Sequence, residues 1–217
     1  MEKVTQIPAS PMDFLLLPVW VHKKLSIRFP GLIASFVFVG CFDLIFYENL
    51  FKQSIFSGNF GISLFKLVTF MILALLVGLI DVVCTIYPIA DFARMIGRRS
   101  EKYVNKRIPV IMMKSYALSH ILLVVPLALY VYSGVEWAEV SAISTGQIRI
   151  LFAVIITLIQ FLPYFQLGIL YRTISLRTRI QVFGKLILVF AAYFWMELSM
   201  TAIGFVAGLA FSFLKVL

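Results

Sequence analysis

The sequence predicts an all-α integral membrane bundle of five transmembrane helices, N-terminus cytoplasmic and C-terminus external. Three observations carry that prediction. The 217 residues are 62% hydrophobic and only 13% charged, whereas soluble domains are roughly half apolar and a quarter charged. The apolar residues fall into five blocks, each long enough to cross a hydrocarbon core of about 30 Å as a helix. The basic residues collect on one side of those blocks. With so much of the chain apolar, no stretch remains for a separate soluble catalytic domain, and the short alternating strands of a lipid-facing barrel are absent.

Residues 1–29 form a cytoplasmic lead-in. Met1 to Pro11 has no apolar core, so no cleavable signal is expected there. The run Met12-Asp13-Phe14-Leu15-Leu16-Leu17-Pro18-Val19-Trp20, followed by His22-Lys23-Lys24, suits two arrangements. It can lie along the inner membrane surface with Trp20 at headgroup depth, or it can be a short packed approach to the first span.

The membrane domain, residues 30–217, begins with a first span over 30–50 and a second over 64–87 that ends at the kink-prone pair Tyr87-Pro88. The third covers 108–132 and contains Pro126; the fourth covers 148–171 and contains Pro163. Each proline removes a helix hydrogen bond and favours a kink, and a carbonyl freed near Pro163 can join polar groups at that depth. The fifth span, 182–217, carries Gly204, Gly208 and Ser212 at intervals of four, a small-residue ridge that lets another helix approach closely, within the bundle or across a homodimer. Aromatics around Phe46, Tyr47, Phe51, Phe56 and Phe60 read as an outer interfacial belt.

Orientation follows from Lys and Arg, which concentrate in short cytoplasmic loops. One side has Lys3, Lys23, Lys24, Arg28, Lys114 and Lys185 together with Arg94, Arg98, Arg99, Lys102, Lys106, Arg107, Arg172, Arg177 and Arg179. The other has Lys52, Lys66, Arg149 and Lys215. The nine residues from Arg94 to Arg107 and from Arg172 to Arg179 form a candidate cytoplasmic basic surface facing anionic headgroups of the bilayer. The net charge of +9 is accounted for in this way and does not point to nucleic acid.

Each span holds one strongly polar residue: Asp43, Asp81, His120, Gln160 and Glu197. Such groups cost at least about 2.5 kcal/mol each at membrane depth, so each calls for a partner or a function. Their depths are similar enough for one layer. That layer either binds a cation or relays protons, or it joins helices by interhelical hydrogen bonds. Cys41 and Cys84 lie within spans, and no CxxC or HxxxH spacing occurs, so neither a disulfide nor a metal centre is expected. No cofactor pattern is present. GxSxG, HExxH and P-loop patterns are also absent, and a non-enzymatic protein is expected.

The pattern of a cytoplasmic lead-in, five spans and an external C-terminus resembles the Yip1 domain family, particularly its bacterial and archaeal members. The residues that carry the resemblance are Ser10-Pro11-Met12-Asp13-Phe14 with Pro18-Val19-Trp20 before the first span, and Ile108-Pro109 through Pro126 in the third. The Asp-Leu-Tyr-Gly-Pro signature of eukaryotic members is not present. The resemblance implies a non-enzymatic protein of a prokaryotic cytoplasmic membrane that organises or binds other membrane components, protein partners or a second copy among them, through its basic loops. A small ion- or proton-coupled channel or carrier built on the polar layer is the rival expectation.

Overall fold

A computed structural model describes residues 13, 16–47, 55–56, 58–99, 104–133 and 146–217. A short helix α1 (Val19–Lys24) precedes five longer ones: α2 (Pro30–Tyr47), α3 (Phe60–Arg99), α4 (Ile108–Ser133), α5 (Gly146–Arg177) and α6 (Val182–Val216). No strand occurs among the described residues. Among them α3, the stretch of α4 to Leu129, and α6 are long and apolar enough to cross a membrane. The outward face of α6 has Phe183, Phe190, Phe194, Leu198, Phe205, Leu209 and Phe213 exposed. So continuous an apolar surface is foreign to water and suits lipid.

α2 packs against α3, α4 and α6, while α5 closes the bundle against α4 and α6. α2 and α3 run antiparallel and cross at two glycines. A Cβ added to Gly40 would lie 1.7 Å from the Ala74 carbonyl oxygen, and one added to Gly78 would lie 1.9 Å from that of Phe36. Backbone meets backbone there, which only glycine permits. This backbone contact lies outside the Gly204, Gly208 and Ser212 ridge. α6 turns Ile203, Ala207, Ala210, Phe211 and Leu214 inward, so Ser212 is exposed and Gly204 and Gly208 are half-buried at the margin. Ser212 Oγ donates within its own helix, to the Gly208 carbonyl at 2.9 Å.

Two helices, α3 and α5, outlast their apolar blocks. α3 runs through Pro88 to Arg99 instead of ending at Tyr87. Pro88 has no N–H for the Cys84 carbonyl, and the indole Nε1 of Trp195 on α6 donates to that oxygen at 3.0 Å, so the helix continues with its acceptor satisfied. Arg94, Arg98 and Arg99 thereby sit in its closing turns, where cations meet the negative end of the helix dipole.

The lead-in is a packed approach. His22 is 1% exposed; its Nδ1 contacts Thr173 Oγ1 at 2.9 Å, and its Nε2 contacts the Leu16 carbonyl at 3.0 Å. The Leu16 side chain rests on Gly168. Arg177 donates from Nε and Nη2 to the His22 carbonyl and from Nη2 to those of Lys23 and Leu25. Arg172 donates to the Leu17 carbonyl and is ion-paired with Asp13. Lys114 Nζ on α4 donates to the carbonyls of Ser26 and Arg28 at 2.9 and 2.7 Å. Trp20 is turned outward, 60% exposed with Lys24 over its ring, and Phe29 is exposed as well. Arg172 and Arg177 are thus not part of a free basic surface: backbone carbonyls of the lead-in, which lack helical partners, occupy their forks. Arg98, Arg99, Lys106, Arg107 and Arg179 are exposed, Arg94 is half-buried in an ion pair with Asp91, and Lys102 lies outside the described residues.

Candidate functional site

Buried apolar side chains form two clusters. One unites the Leu32–Val39 end of α2 with Val82–Ala93 of α3 and Ile108–Ala117 of α4. The other unites Leu44 of α2 with Phe70–Val77 of α3 and Ala207–Leu214 of α6. Asp43 and Asp81 occupy the positions along α2 and α3 where one cluster gives way to the other. Each follows a crossing glycine by three residues, Gly40 and Gly78, and so shares its face. Helical side chains lean toward the N-terminus, so the two carboxylates lean back toward the crossing from opposite directions. His120 on α4 completes the group, with one donor atom from each of the three residues within 4.8 Å of the others.

The partners of these three groups differ. Asp81 is 2% exposed, and its Oδ1 accepts from Thr85 Oγ1 at 2.9 Å. The Tyr116 hydroxyl lies 3.2 Å from Oδ1 and 3.3 Å from Oδ2. His120 Nδ1 lies 3.0 Å from the Tyr116 carbonyl. A carbonyl only accepts, so Nδ1 carries the proton and Nε2 presents a lone pair. The imidazole is held edge-on between the rings of Phe42 and Tyr116, with centroids 4.9 and 4.7 Å away. Asp43 Oδ2, by contrast, is buried without any hydrogen-bond partner.

All three residues face one cavity of about 340 Å³ among α2 to α6, walled mainly by Phe42, Phe46, Leu123, Leu127, Pro163, Met200, Ile203 and Ala207. Gly204, Tyr116 and Gln166 border it, and among the described residues no Lys or Arg lines it. Two carboxylates with no basic side chain beside them, in surroundings of low dielectric, form a place that takes up positive charge.

Of the five residues expected in one layer, the structure brings Asp43, Asp81 and His120 together and leaves Gln160 and Glu197 exposed on the outer surface. Glu197 follows the inward Met196 by one position, about 100° around the helix. Gln160 lies six residues from Gln166, which is about a third of a turn away in azimuth. Gln166, 5% exposed, is the amide that reaches the cavity. Its spacing of seven from the buried Thr173 marks the inner face of α5. Thr85 and Tyr116, the donors that hold Asp81, carry no signal in the sequence beyond their four-residue spacings from Asp81 and His120. The sequence offers no metal-binding spacing because the three donors come from three helices.

The stacked pair Tyr164 and Tyr193, with centroids 5.9 Å apart, joins α5 to α6 one turn from Gln160 and Glu197. This second polar patch lies on the outside of the bundle and shares no residue with the cavity. Compared with known proteins, the chain matches no family model, no curated protein and no solved structure.

Proposed function

We propose that the protein spans the membrane five times, with its N-terminus in the cytoplasm and its C-terminus outside, and takes a cation, proton or metal ion, at Asp43, Asp81 and His120 for passage across the bilayer. One observation carries this reading: among the described residues Asp43 Oδ2 is buried with no donor, beside Asp81 and His120, in a cavity that no basic residue lines. A site serving only to join helices would have its acceptors satisfied, since an unpaired buried acceptor costs about 1–3 kcal/mol and yields no cohesion. α2 to α6 supply five helices for the five spans, and the bias of Lys and Arg supports the orientation. The proposed setting is the cytoplasmic membrane of a prokaryote.

A second reading has the protein organising or binding other membrane components, as the resemblance to the Yip1 family implies. It is favoured by the exposed cations Arg98, Arg99, Lys106, Arg107 and Arg179, which suit anionic headgroups or an acidic partner. Reconstituted vesicles separate the two. The transport reading expects a proton or cation flux, reported by entrapped pH- and ion-sensitive dyes, that is at least tenfold weaker in Asp43→Asn while the protein remains folded. No flux in the parent protein, across a pH gradient and a panel of cations, would sink it and leave the organising role.

A further inference from the structure

We infer that Asp43, Asp81 and His120 bind one divalent transition-metal ion of the manganese, cobalt or zinc class. This deepens the reading above by naming the ion; it rests on the same site but not on transport.

The donor set decides the class. Two carboxylate oxygens and one imidazole nitrogen are the ligands of first-row divalent metals, whereas sodium, magnesium and calcium favour all-oxygen shells of six or more donors. This cavity offers few further oxygens, chiefly those of Gln166 and the Tyr116 hydroxyl. Charge agrees with ligand type, because two carboxylates and a neutral imidazole balance a divalent ion, and among the described residues no Lys or Arg lines the cavity to do so instead.

Geometry points the same way. Donors around one ion at about 2.1 Å lie roughly 3–4 Å apart, and the three atoms already lie within 4.8 Å of one another. Rotation of side chains closes that difference without moving a helix. The outer partners are those a metal site requires. Nδ1 of His120 donates to a carbonyl and frees Nε2 for the ion, while Thr85 and Tyr116 fix Asp81. Asp43 contributes an oxygen, Oδ2, that has no other partner among the described residues. Three protein ligands in a cavity of about 340 Å³ leave coordination positions for water, so a bound ion can exchange.

The test uses the full chain in detergent, carrying Cys41→Ser and Cys84→Ser to remove thiolate binding. Protein stripped with a chelator is dialysed against Mn²⁺, Co²⁺ or Zn²⁺, and metal content is measured with the visible spectrum of the cobalt form. The proposal expects one ion per chain with at least one of these metals. It expects affinity at least tenfold lower in Asp43→Asn and His120→Gln, and about tenfold lower in Tyr116→Phe. Gln160→Ala and Glu197→Gln, both outside the cavity, should bind as the parent does. Failure of the parent protein to bind any of the three metals overturns the proposal without recourse to variants, and so does full retention of metal by folded Asp43→Asn. Stoichiometric metal without flux in vesicles would refute transport and leave this site standing. Proton flux without metal binding would do the reverse.

Discussion

Asp43 and Asp81 are the same side chain in opposite circumstances, and the difference is local. Asp81 has Thr85 one turn along its own helix and Tyr116 across from it, so its oxygens are satisfied and its orientation is fixed. Asp43 Oδ2 has neither kind of neighbour. His22 is a third case, in which burial is matched by hydrogen bonds but leaves no room for charge. Burial pushes its pKa below the ordinary 6.5, and the nearby Arg172 and Arg177 add to that effect against the opposing pull of the Leu16 carbonyl. The sign follows from proton counts. Below about pH 6.5 the unfolded lead-in binds more protons at His22 than the packed one, so packing weakens as pH falls from 6.5 toward the lowered value. Hydrogen exchange over residues 16–25 should therefore quicken between pH 7.5 and 5.5 relative to the intrinsic rate, and His22→Asn should abolish that dependence. A pH-independent ratio in the parent protein would show that His22 is not the controlling group. At this scale the sequence is only partly readable. The depth of a polar residue follows from its place along an apolar block, which is why Asp43, Asp81 and His120 could be picked out. Azimuth does not follow from depth, so depth alone points to Gln160 and Glu197, which are exposed, and passes over Gln166, which reaches the cavity.

At the scale of the helices, α2 and α3 cross with backbone against backbone, and that crossing also sets the site. Gly40 and Gly78 let the two backbones touch, and the carboxylates three residues beyond each glycine inherit that proximity. Neither glycine stands out in sequence: Gly31, the other glycine of α2, is nine residues from Gly40, and Gly78 is alone in 64–87, so no four-residue spacing marks either. The regular ridge at Gly204, Gly208 and Ser212 is conspicuous by spacing, yet α6 rotates it to the margin so that Ala207, Ala210 and Phe211 can fill the core. Gly78→Ala should therefore be costly: the new methyl would lie 1.9 Å from the Phe36 carbonyl oxygen, a backbone atom that moves only if the whole helix moves. Overpacking of this kind costs about 1–3 kcal/mol or more, several degrees of Tm in detergent. Gly61→Ala, with nothing within 4 Å of the new atom, is the matched control and should melt as the parent does. Equal melting of the two variants would mean that α2 and α3 do not cross so closely. Spans also end later than hydropathy suggests, since α3 survives Pro88 by borrowing the Trp195 indole and α5 continues to Arg177 to hold the lead-in. Both devices use partners more than a hundred residues away, which no local window contains.

At the scale of the whole molecule, composition and block length were enough to foresee an all-helical bundle, because lipid allows few other ways to satisfy a backbone. Orientation is a further step and rests on charge. α3 has 40 residues, which at 1.5 Å per residue is about 60 Å, twice the thickness of the hydrocarbon core. One end must therefore project well beyond the bilayer or the helix must tilt steeply. The C-terminal end carries Asp91, Arg94, Arg98 and Arg99, whereas the residues from Phe60 to Ile80 include Lys66 as their only charge. The projecting end is thus the one near Arg99; Ala93 clusters there with Leu32 and Ile108, at the end of the bundle where Arg172, Arg177 and Lys114 hold the lead-in from α5 and α4. In the proposed topology this whole assembly is cytoplasmic. A single cysteine placed at Arg99, in a chain lacking Cys41 and Cys84, should resist a membrane-impermeant maleimide in intact cells and react in inside-out vesicles. A cysteine at Phe60, 84% exposed at the opposite end of the same helix, should show the reverse. Labelling of position 99 from outside would invert the bundle, and labelling of both positions from one side would mean that α3 does not cross the membrane.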